Sequence, residues 1–226
     1  MPSTIAVLPV KSFGRAKQRL AAGVGAPERA TLAAAMVGDV LAALGDVRAL
    51  DGVIVVTGEP RAAALARAEG ATVVDDPAEA GHSEAALLGV AAATVRGAGR
   101  VLLVPGDCPA LASAEVGELL ARDDARTATA ARRVVIVSDR HGAGTNALLL
   151  APPGTMAPSF GPGSLARHAA LARAAGADVR IAALRSLELD VDTPGDLAAL
   201  RSALADLPAA APRTRALLAQ LAPAAA

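Results

Sequence analysis

The stretch GVIVVTGEPRAAALARAEGATVVDD, residues 52–76, decides the predicted fold. It begins with a short apolar run, continues with an Ala-rich segment that opens on Pro60 and closes on Gly70, and ends with a second apolar run. A proline at the start and a glycine at the end are typical of a helix, so the pattern predicts strand, helix and strand. Such a unit indicates two parallel strands joined by a helix that covers one face of a sheet.

The same alternation continues on both sides of this stretch. Strands are predicted over 4–10, 52–58, 71–76, 100–107, 132–139, 145–150 and 177–184. Helices are predicted over 27–45, 60–70, 83–97, 113–123, 163–176 and 193–206, with Ser113 as an N-cap. Continuously apolar strands are typical of parallel sheets. We therefore expect an α/β protein with a three-layer, Rossmann-like, mostly parallel sheet in a single domain, 1–206, and an Ala/Pro-rich C-terminal tail, 207–226, that is a short helix or frayed.

The composition excludes several classes of protein. Lys+Arg and Asp+Glu both number 22, which argues against a polyanion binder, and 1% aromatic residues leave few platforms on which bases could stack. One cysteine excludes an internal disulfide framework. Neither a signal-peptide pattern nor an apolar run of membrane length is present. We expect a cytoplasmic protein with no nucleic-acid or membrane partner.

Ligands of parallel α/β sheets bind at the carboxyl ends of the strands, so the loops there are the candidate sites. The first such loop holds four cations and no acid: Lys11, Arg15, Lys17 and Arg19. A cluster of cations after a buried strand suits a polyphosphate, and the alternative is a solvated surface loop. The loop contains neither the Walker pattern nor the dinucleotide pattern of glycines.

The stretch VLLVPGDCPAL, residues 101–111, ends a predicted strand on an acid. Asp107 placed there is suited to hold Mg²⁺, which takes oxygen ligands, or alternatively to cap the next helix. Cys108 has no histidine near it in sequence, so we expect a buried thiol rather than a nucleophile. In LELDVDTPGDL, residues 187–197, the i, i+2 spacing puts Asp190 and Asp192 on one face of an extended segment, although Asp192 could also be an N-cap.

Two Gly-rich segments, HGAGTN (141–146) and SFGPGS (159–164), offer free backbone N–H groups beside the hydroxyls of Thr145, Ser159 and Ser164. SFGPGS leads directly into a helix, and the two segments together indicate a second phosphate or carboxylate site. The three histidines lack the spacing of a zinc site. We expect His141 in a loop, His168 on a helix surface and His82 at a helix start.

The chain resembles the guanylyltransferases that make the phosphoester arm of the deazaflavin coenzyme F-420. The resemblance covers residue 5 to about 198 and is carried, in order, by IAVLPVKSFGRAKQRL (5–20), VPGDCPAL (104–111), SDRHGAGTNALLL (138–150), SFGPGSLARH (159–168) and LDVDTPGDL (189–197). It implies a nucleotide-diphospho-sugar-transferase-like sheet, with the nucleotide over the first half and an acceptor over the second. The implied reaction joins GMP from GTP to phosphoenolpyruvate, 2-phospho-L-lactate or 3-phospho-D-glycerate and releases pyrophosphate.

The resemblance also assigns residues. It implies Mg²⁺ on Asp107 and Asp192, with Asp190 as a further acid. Lys11, Lys17 and Asp107 are the implied catalytic residues. GTP is implied to lie on Lys11, Lys17, Arg19, Gly81, Ser83 and Asp107, and the acceptor on Thr145, Gly161 and Ser164.

The sequence departs from the family at two places. Gly81-His82-Ser83 stands where Gly-Leu-Asn is usual, so the ribose contact is expected to pass to Ser83, and Ala143 stands where threonine is common. Three alternatives stay open: a phosphoenolpyruvate-type guanylyltransferase, which we favour; another nucleotidyltransferase of cytidylyl or molybdopterin type; and a non-catalytic nucleotide-binding protein. A downstream partner would be the enzyme that transfers the product to the deazaflavin, and the oligomeric state stays open.

Overall fold

The computed structural model describes residues 3–21, 23–126 and 130–221. Within these ranges one sheet contains β1 Thr4–Pro9, β2 Gly52–Thr57, β3 Thr72–Asp75, β4 Arg100–Leu103, β5 Arg133–Ser138, β6 Thr145–Ala151 and β7 Asp178–Ala182. The helices there are α1 Ala26–Gly45, α2 Pro60–Ala68, α3 His82–Val95, α4 Ser113–Asp124, α5 Ser164–Ala174, α6 Pro194–Asp206 and α7 Pro212–Gln220. The predicted strands and helices are present with small shifts at their ends, except that the strand predicted over 100–107 is shorter.

The seven strands lie in the order β3-β2-β1-β4-β6-β5-β7. Every neighbouring pair is parallel except those that include β6, which runs antiparallel to both β4 and β5. The expected mostly parallel sheet is therefore confirmed. Because β6 runs the opposite way, its first residue, Thr145, lies beside the carboxyl ends of the other strands. The strand order reverses between β1 and β4, which is where ligands of such sheets bind.

Helices cover both faces of the sheet. Alternate strand residues point to opposite faces, so Leu8 packs in the cluster that includes α1, α2 and α4, whereas Val7 packs with α3 and α5. This arrangement confirms the three layers. Helix α3 lies so close to β1 that a Cβ atom on Gly89 would be 2.2 Å from a Val7 methyl group.

The segment after residue 206 folds back onto α1. Asp39, a buried residue of α1, accepts hydrogen bonds from the backbone N–H groups of Arg213 at 3.1 Å and Thr214 at 2.8 Å, in the first turn of α7. A carboxylate at this end of a helix is favoured by the helix dipole. Leu218 of α7 joins the apolar cluster that contains Met36 of α1, so α7 completes one side of the core.

Two expectations about the chain between residues 100 and 113 are wrong. The strand predicted over 100–107 ends at Leu103, because Pro105 has no N–H to donate to a neighbouring strand. Ser113 is the first residue of α4 and not its N-cap, which is Ala112. The Ser113 hydroxyl instead donates to the Ala43 carbonyl at 2.8 Å and joins α4 to α1. None of the helices in the described ranges has the length and apolarity needed to cross a bilayer.

Candidate active site

The loop after β1 folds over the sheet edge and turns one of its cations inward. Phe13 is buried beneath the loop, and its N–H donates to the Glu59 carboxylate at 3.1 Å. Lys17 has φ 56°, in the left-handed region that residues with side chains rarely occupy, and its side chain is only 7% exposed. The other cations of the loop are exposed: Lys11, Arg15 and Arg19.

The Lys17 ammonium joins acids from two other loops. Nζ lies 2.6 Å from Asp107 Oδ2 and 3.0 Å from Asp192 Oδ1. Burial alone would lower the pKa of Lys17, but the two carboxylates raise it well above its ordinary value. Burial would likewise raise the pKa of Asp107, but the Lys17 charge outweighs burial and holds this pKa below its usual range. The site therefore holds a fixed cation between two fixed anions.

Asp190 has a different partner. The Asn146 side-chain amide donates to its carboxylate at 3.4 Å and to the Leu187 carbonyl at 2.6 Å. Burial and the Asp107 charge raise the pKa of Asp190. The Val191 N–H donates to the Asp107 carbonyl at 3.1 Å, which brings the two acidic loops together.

Asp107 and Asp192 fit a divalent cation that also takes phosphate oxygens. Oδ1 of Asp107 is buried and has no hydrogen-bond partner among the described residues, so one carboxylate oxygen is left for a ligand. No group of three or more His, Cys, Asp or Glu side chains in the described ranges has the arrangement of a metal site. Mg²⁺ does not need one, because it is commonly held by one or two carboxylates together with substrate phosphates and water. The metal role of Asp107, Asp190 and Asp192 stays a prediction.

Neither Asp107 nor Asp192 caps a helix, so these alternatives are wrong. The N-cap of α6 is Thr193, whose hydroxyl accepts the Asp196 N–H while the Asp196 carboxylate accepts the Thr193 N–H. The same carboxylate accepts the Asp192 N–H at 3.1 Å and pairs with Arg140. This capping box fixes the backbone beside Asp192 and leaves its side chain for Lys17.

The predicted nucleotide residues of α3 contact the predicted acceptor loop. Gly81 is the N-cap of α3, and Ser83 Oγ accepts the Phe160 N–H at 2.9 Å. The His82 ring meets Phe160 edge-on, with the ring centroids 4.7 Å apart. The two predicted halves of the site therefore share a wall at Phe160.

The two Gly-rich segments meet at His168, which is fully buried and not on a helix surface as expected. Its Nδ1 lies 3.0 Å from Thr145 Oγ1, and its Nε2 accepts the Ser159 N–H at 2.8 Å. Burial and the neighbouring Arg167 charge lower the pKa of His168 to about 4, so the ring is neutral at pH 7. The residue faces inward because positions 164, 168 and 172 form one buried stripe of α5.

Arg167 gathers the carbonyl groups of the SFGPGS loop. Its guanidinium donates to the carbonyls of Ser159 at 2.9 Å, Phe160 at 3.1 Å and Pro162 at 3.0 Å. No carboxylate in the described part of the chain forms an ion pair with it. The loop therefore sits on an uncompensated positive charge, which favours an anionic ligand.

Backbone and side-chain donors of this loop are left for a ligand. The N–H groups of Gly161 and Gly163 and the hydroxyl of Ser164 have no hydrogen-bond partners within the described ranges. Gly161 has φ 109°, a conformation that a side chain would strain. Unpaired donors at the start of α5 make an anion-binding concavity. The His168 ring links Thr145 to this loop, because it contacts both Thr145 and Ser159. The acceptor role of Thr145, Gly161 and Ser164 stays a prediction.

Cys108 is buried, as expected. Burial raises the pKa of its thiol well above the ordinary value, and Sγ lies 3.6 Å from the Leu187 carbonyl. A protonated, enclosed thiol is not an effective nucleophile.

Four residues that shape the site are not among those predicted from the sequence: Glu59, Asn146, Arg167 and His168. The buried stripe of α5 was a signal for His168, because 168 falls one turn after Ser164. Asn146 adjoins Thr145 and is the last residue of the Gly-rich segment HGAGTN. Glu59 lies two residues after the end of β2, on the same side of the sheet as the other loops.

Comparison with protein families matches residues 4–202 to the family described as "Guanylyl transferase CofC like". Two curated relatives are both named phosphoenolpyruvate guanylyltransferase. That of Conexibacter woesei is 51% identical over 219 residues, 97% of this chain and 96% of that protein. That of Sphaerobacter thermophilus is 40% identical and covers 86% of this chain and 91% of that protein.

Solved structures share the fold at lower identity. A chain described as a nucleotide-diphospho-sugar transferase from Desulfovibrio desulfuricans superposes with TM-score 0.73 at 19% identity, over 97% of this chain and 95% of that one. A nucleotidyl transferase from Methanothermobacter superposes with TM-score 0.62 at 19% identity, over 91% and 99%. Glucosyl-3-phosphoglycerate synthase from Mycobacterium tuberculosis, in complex with Mg²⁺ and uridine-diphosphate, gives TM-score 0.55 at 16% identity, over 81% and 69%.

Proposed function

The chain belongs to the CofC-like guanylyl transferase family, and from this membership we propose that it joins GMP from GTP to phosphoenolpyruvate in coenzyme F-420 biosynthesis. The protein is a nucleotidyltransferase that transfers a guanylyl group from GTP. The acceptor, the residue roles, the metal and the downstream partner enzyme belong to our proposal. Phosphoenolpyruvate is favoured over 2-phospho-L-lactate and 3-phospho-D-glycerate because the curated relatives carry its name.

One observation carries the residue assignment: a buried lysine, Lys17, bridges Asp107 and Asp192 at the sheet edge, while Asp107 Oδ1 has no partner among the described residues. Such an arrangement suits a triphosphate and a metal ion together. Lys17 would contact the phosphates, and exposed Lys11 and Arg19 would add charge around them. Asp107 and Asp192 would hold Mg²⁺, whose bound form would neutralise charge on the phosphates of GTP. A fold neighbour holds Mg²⁺ with a nucleoside diphosphate.

The acceptor would lie on the Gly-rich side of the site. The free N–H groups of Gly161 and Gly163 and the hydroxyls of Thr145 and Ser164 are hydrogen-bond donors of the kind that phosphate and carboxylate oxygens accept. The charge of Arg167 beneath the loop favours the anion further. Because Ser83, a proposed nucleotide residue, accepts the Phe160 N–H, the acceptor would lie next to the nucleotide.

The transfer needs positioning and charge more than acid–base chemistry. A phosphate oxygen of the acceptor attacks the α-phosphorus of GTP, the bond between that phosphorus and the α–β bridging oxygen breaks, and pyrophosphate leaves with the electron pair. The acceptor oxygen is already deprotonated at neutral pH, so no general base is required. Lys17 and the loop donors would hold two anions in line and offset their repulsion, which is the main catalytic contribution in phosphoryl-type transfers.

The test is pyrophosphate release with Mg²⁺ from GTP and each of the three acceptors in parallel, with CTP and ATP as competing nucleotides. We expect release from GTP with phosphoenolpyruvate. Preference for CTP or ATP would favour another nucleotidyltransferase. Binding of GTP by folded protein without release with any acceptor would favour a non-catalytic role.

A further inference from the structure

His168 is buried at the meeting point of both Gly-rich segments and contacts each of them through a different ring nitrogen. Nε2 lies 2.8 Å from the backbone nitrogen of Ser159, and Nδ1 lies 3.0 Å from Thr145 Oγ1. Phe160 packs edge-on against the same ring at 5.1 Å between centroids. The imidazole therefore cannot turn without breaking contacts on several sides.

The backbone contact fixes which nitrogen carries the proton. The Ser159 N–H can only donate, so Nε2 must accept and cannot bear a hydrogen. A neutral ring then has its proton on Nδ1, and Nδ1–H donates to Thr145 Oγ1. Burial of the ring, and after it the charge of neighbouring Arg167, lower the pKa of His168 and so disfavour a second proton.

The Thr145 hydroxyl accepts a hydrogen bond from His168 and is left able to donate one. Within the described ranges, His168 is the sole hydrogen-bonding partner of Oγ1. Because Oγ1 accepts from His168, its own hydrogen is free to donate. Thr145 opens β6 at the sheet edge, beside the loop whose N–H groups are also free.

We propose that His168 is a positioning residue that makes the Thr145 hydroxyl an obligatory donor to the anionic acceptor. The inference rests on the proposed function, because it needs the acceptor to lie on the Gly-rich loops. His168 itself would not touch the acceptor. The same contact with Ser159 holds the loop that presents Gly161 and Ser164, so one ring orders both halves of the acceptor subsite.

Two substitutions separate the two ring contacts. In His168→Asn the amide nitrogen falls near the position of Nδ1, so donation to Thr145 is retained and the Ser159 contact is lost. In His168→Gln the amide group falls near Nε2, so its oxygen accepts from Ser159 and donation to Thr145 is lost. Thr145→Val, alone and combined with His168→Gln, removes the hydroxyl itself.

The measurement is steady-state pyrophosphate release, with KM determined separately for GTP and for the acceptor that the wild-type protein uses best. We expect His168→Gln to raise the acceptor KM about 10-fold, the effect of one hydrogen bond to a charged group, with the KM for GTP unchanged. Thr145→Val should match this rise, and the double variant should add nothing to it. His168→Asn keeps donation to Thr145 but loses the Ser159 contact that holds the loop, so it should raise the acceptor KM by less than His168→Gln does.

A purely structural histidine would give another pattern. Thermal unfolding would show both His168 variants destabilised, kcat would fall through loss of folded enzyme, and the acceptor KM would not change. That pattern, or additive effects of His168→Gln and Thr145→Val on KM, would overturn the inference while the proposed function stands. Folded wild-type protein that turns over none of the three acceptors would refute the proposed function and this inference with it.

Discussion

The Lys17 ammonium lies 2.6 Å from a carboxylate oxygen of Asp107, although 90 residues separate them in the chain. Asp192, a further acid from the far end of the sequence, completes the contact at 3.0 Å. The cation loop after β1 is thus fastened to the two acidic loops before any ligand arrives. Lys17, which would contact the triphosphate, and the two carboxylates, which would hold its metal ion, therefore neutralise one another in this structure.

Asp107→Asn should reduce pyrophosphate release by at least about 100-fold, because the amide would lose the negative charge that a metal ion needs. Release from GTP and the preferred acceptor measures the effect, with circular dichroism as a check that the variant is folded. The matched control is Asp46→Asn, which changes an exposed carboxylate at the C-terminal end of α1 and should keep full activity. Near-normal release by Asp107→Asn would contradict the metal assignment.

Lys17→Met should change two quantities in opposite directions. GTP turnover should fall about 100-fold or more, because the proposed contact of Lys17 with the GTP phosphates is lost. Binding of Mn²⁺ in the absence of nucleotide should tighten, because the ammonium no longer occupies the oxygens of Asp107 and Asp192. Electron paramagnetic resonance of free Mn²⁺ gives the affinity. The control is Lys11→Met, because Lys11 has no carboxylate partner among the described residues. This change should lower turnover and leave Mn²⁺ affinity unchanged. If Lys17→Met bound Mn²⁺ only as tightly as the wild-type protein does, the Lys17 ammonium would not compete with the metal ion.

The buried neutral His168 should make stability depend on pH. Its pKa is about 4 in the folded protein, against an ordinary value of 6.5, so the unfolded chain takes up the proton first as pH falls. The stability that this residue contributes is complete above pH 6.5 and is lost toward pH 4. Between pH 7 and pH 5 the wild-type free energy of unfolding should fall by about 2 kcal/mol more than that of His168→Gln. Urea titrations at both pH values measure it, and equal losses would show that His168 stays accessible to protons.

Gly89→Ala should destabilise the fold by about 2 kcal/mol, because the added methyl group would overlap the Val7 side chain of β1. Gly117→Ala is the matched control, since Gly117 also lies within a helix but its Cβ would meet nothing within 4 Å. That change should stabilise the protein by up to about 1 kcal/mol through helix propensity. Chemical denaturation measures the free energy of unfolding of both variants. An unchanged value for Gly89→Ala would mean that α3 can move away from β1.

Local patterns predicted the strands and the helices, because apolar runs and their end signals are written within a few residues, although β4 ends at Leu103 and not at Asp107. The contact of Lys17 with Asp192 is not local, and no pattern within either loop indicates that they meet. Ser113 was a plausible cap by type, yet its hydroxyl contacts Ala43 instead. His168 is expected on a helix surface, whereas the structure buries it and two hydrogen bonds satisfy its ring in the interior.

The contact of α7 with α1 has a consequence for biosynthesis. Asp39 is translated early, but Thr214, whose N–H it accepts, follows 175 residues later. At about 5–20 residues per second, the ribosome needs roughly 10 to 35 s to produce the second partner after the first. Throughout that interval the apolar side of α1 around Met36 lacks its cover, so the nascent chain offers chaperones a binding surface that disappears when the last helix docks.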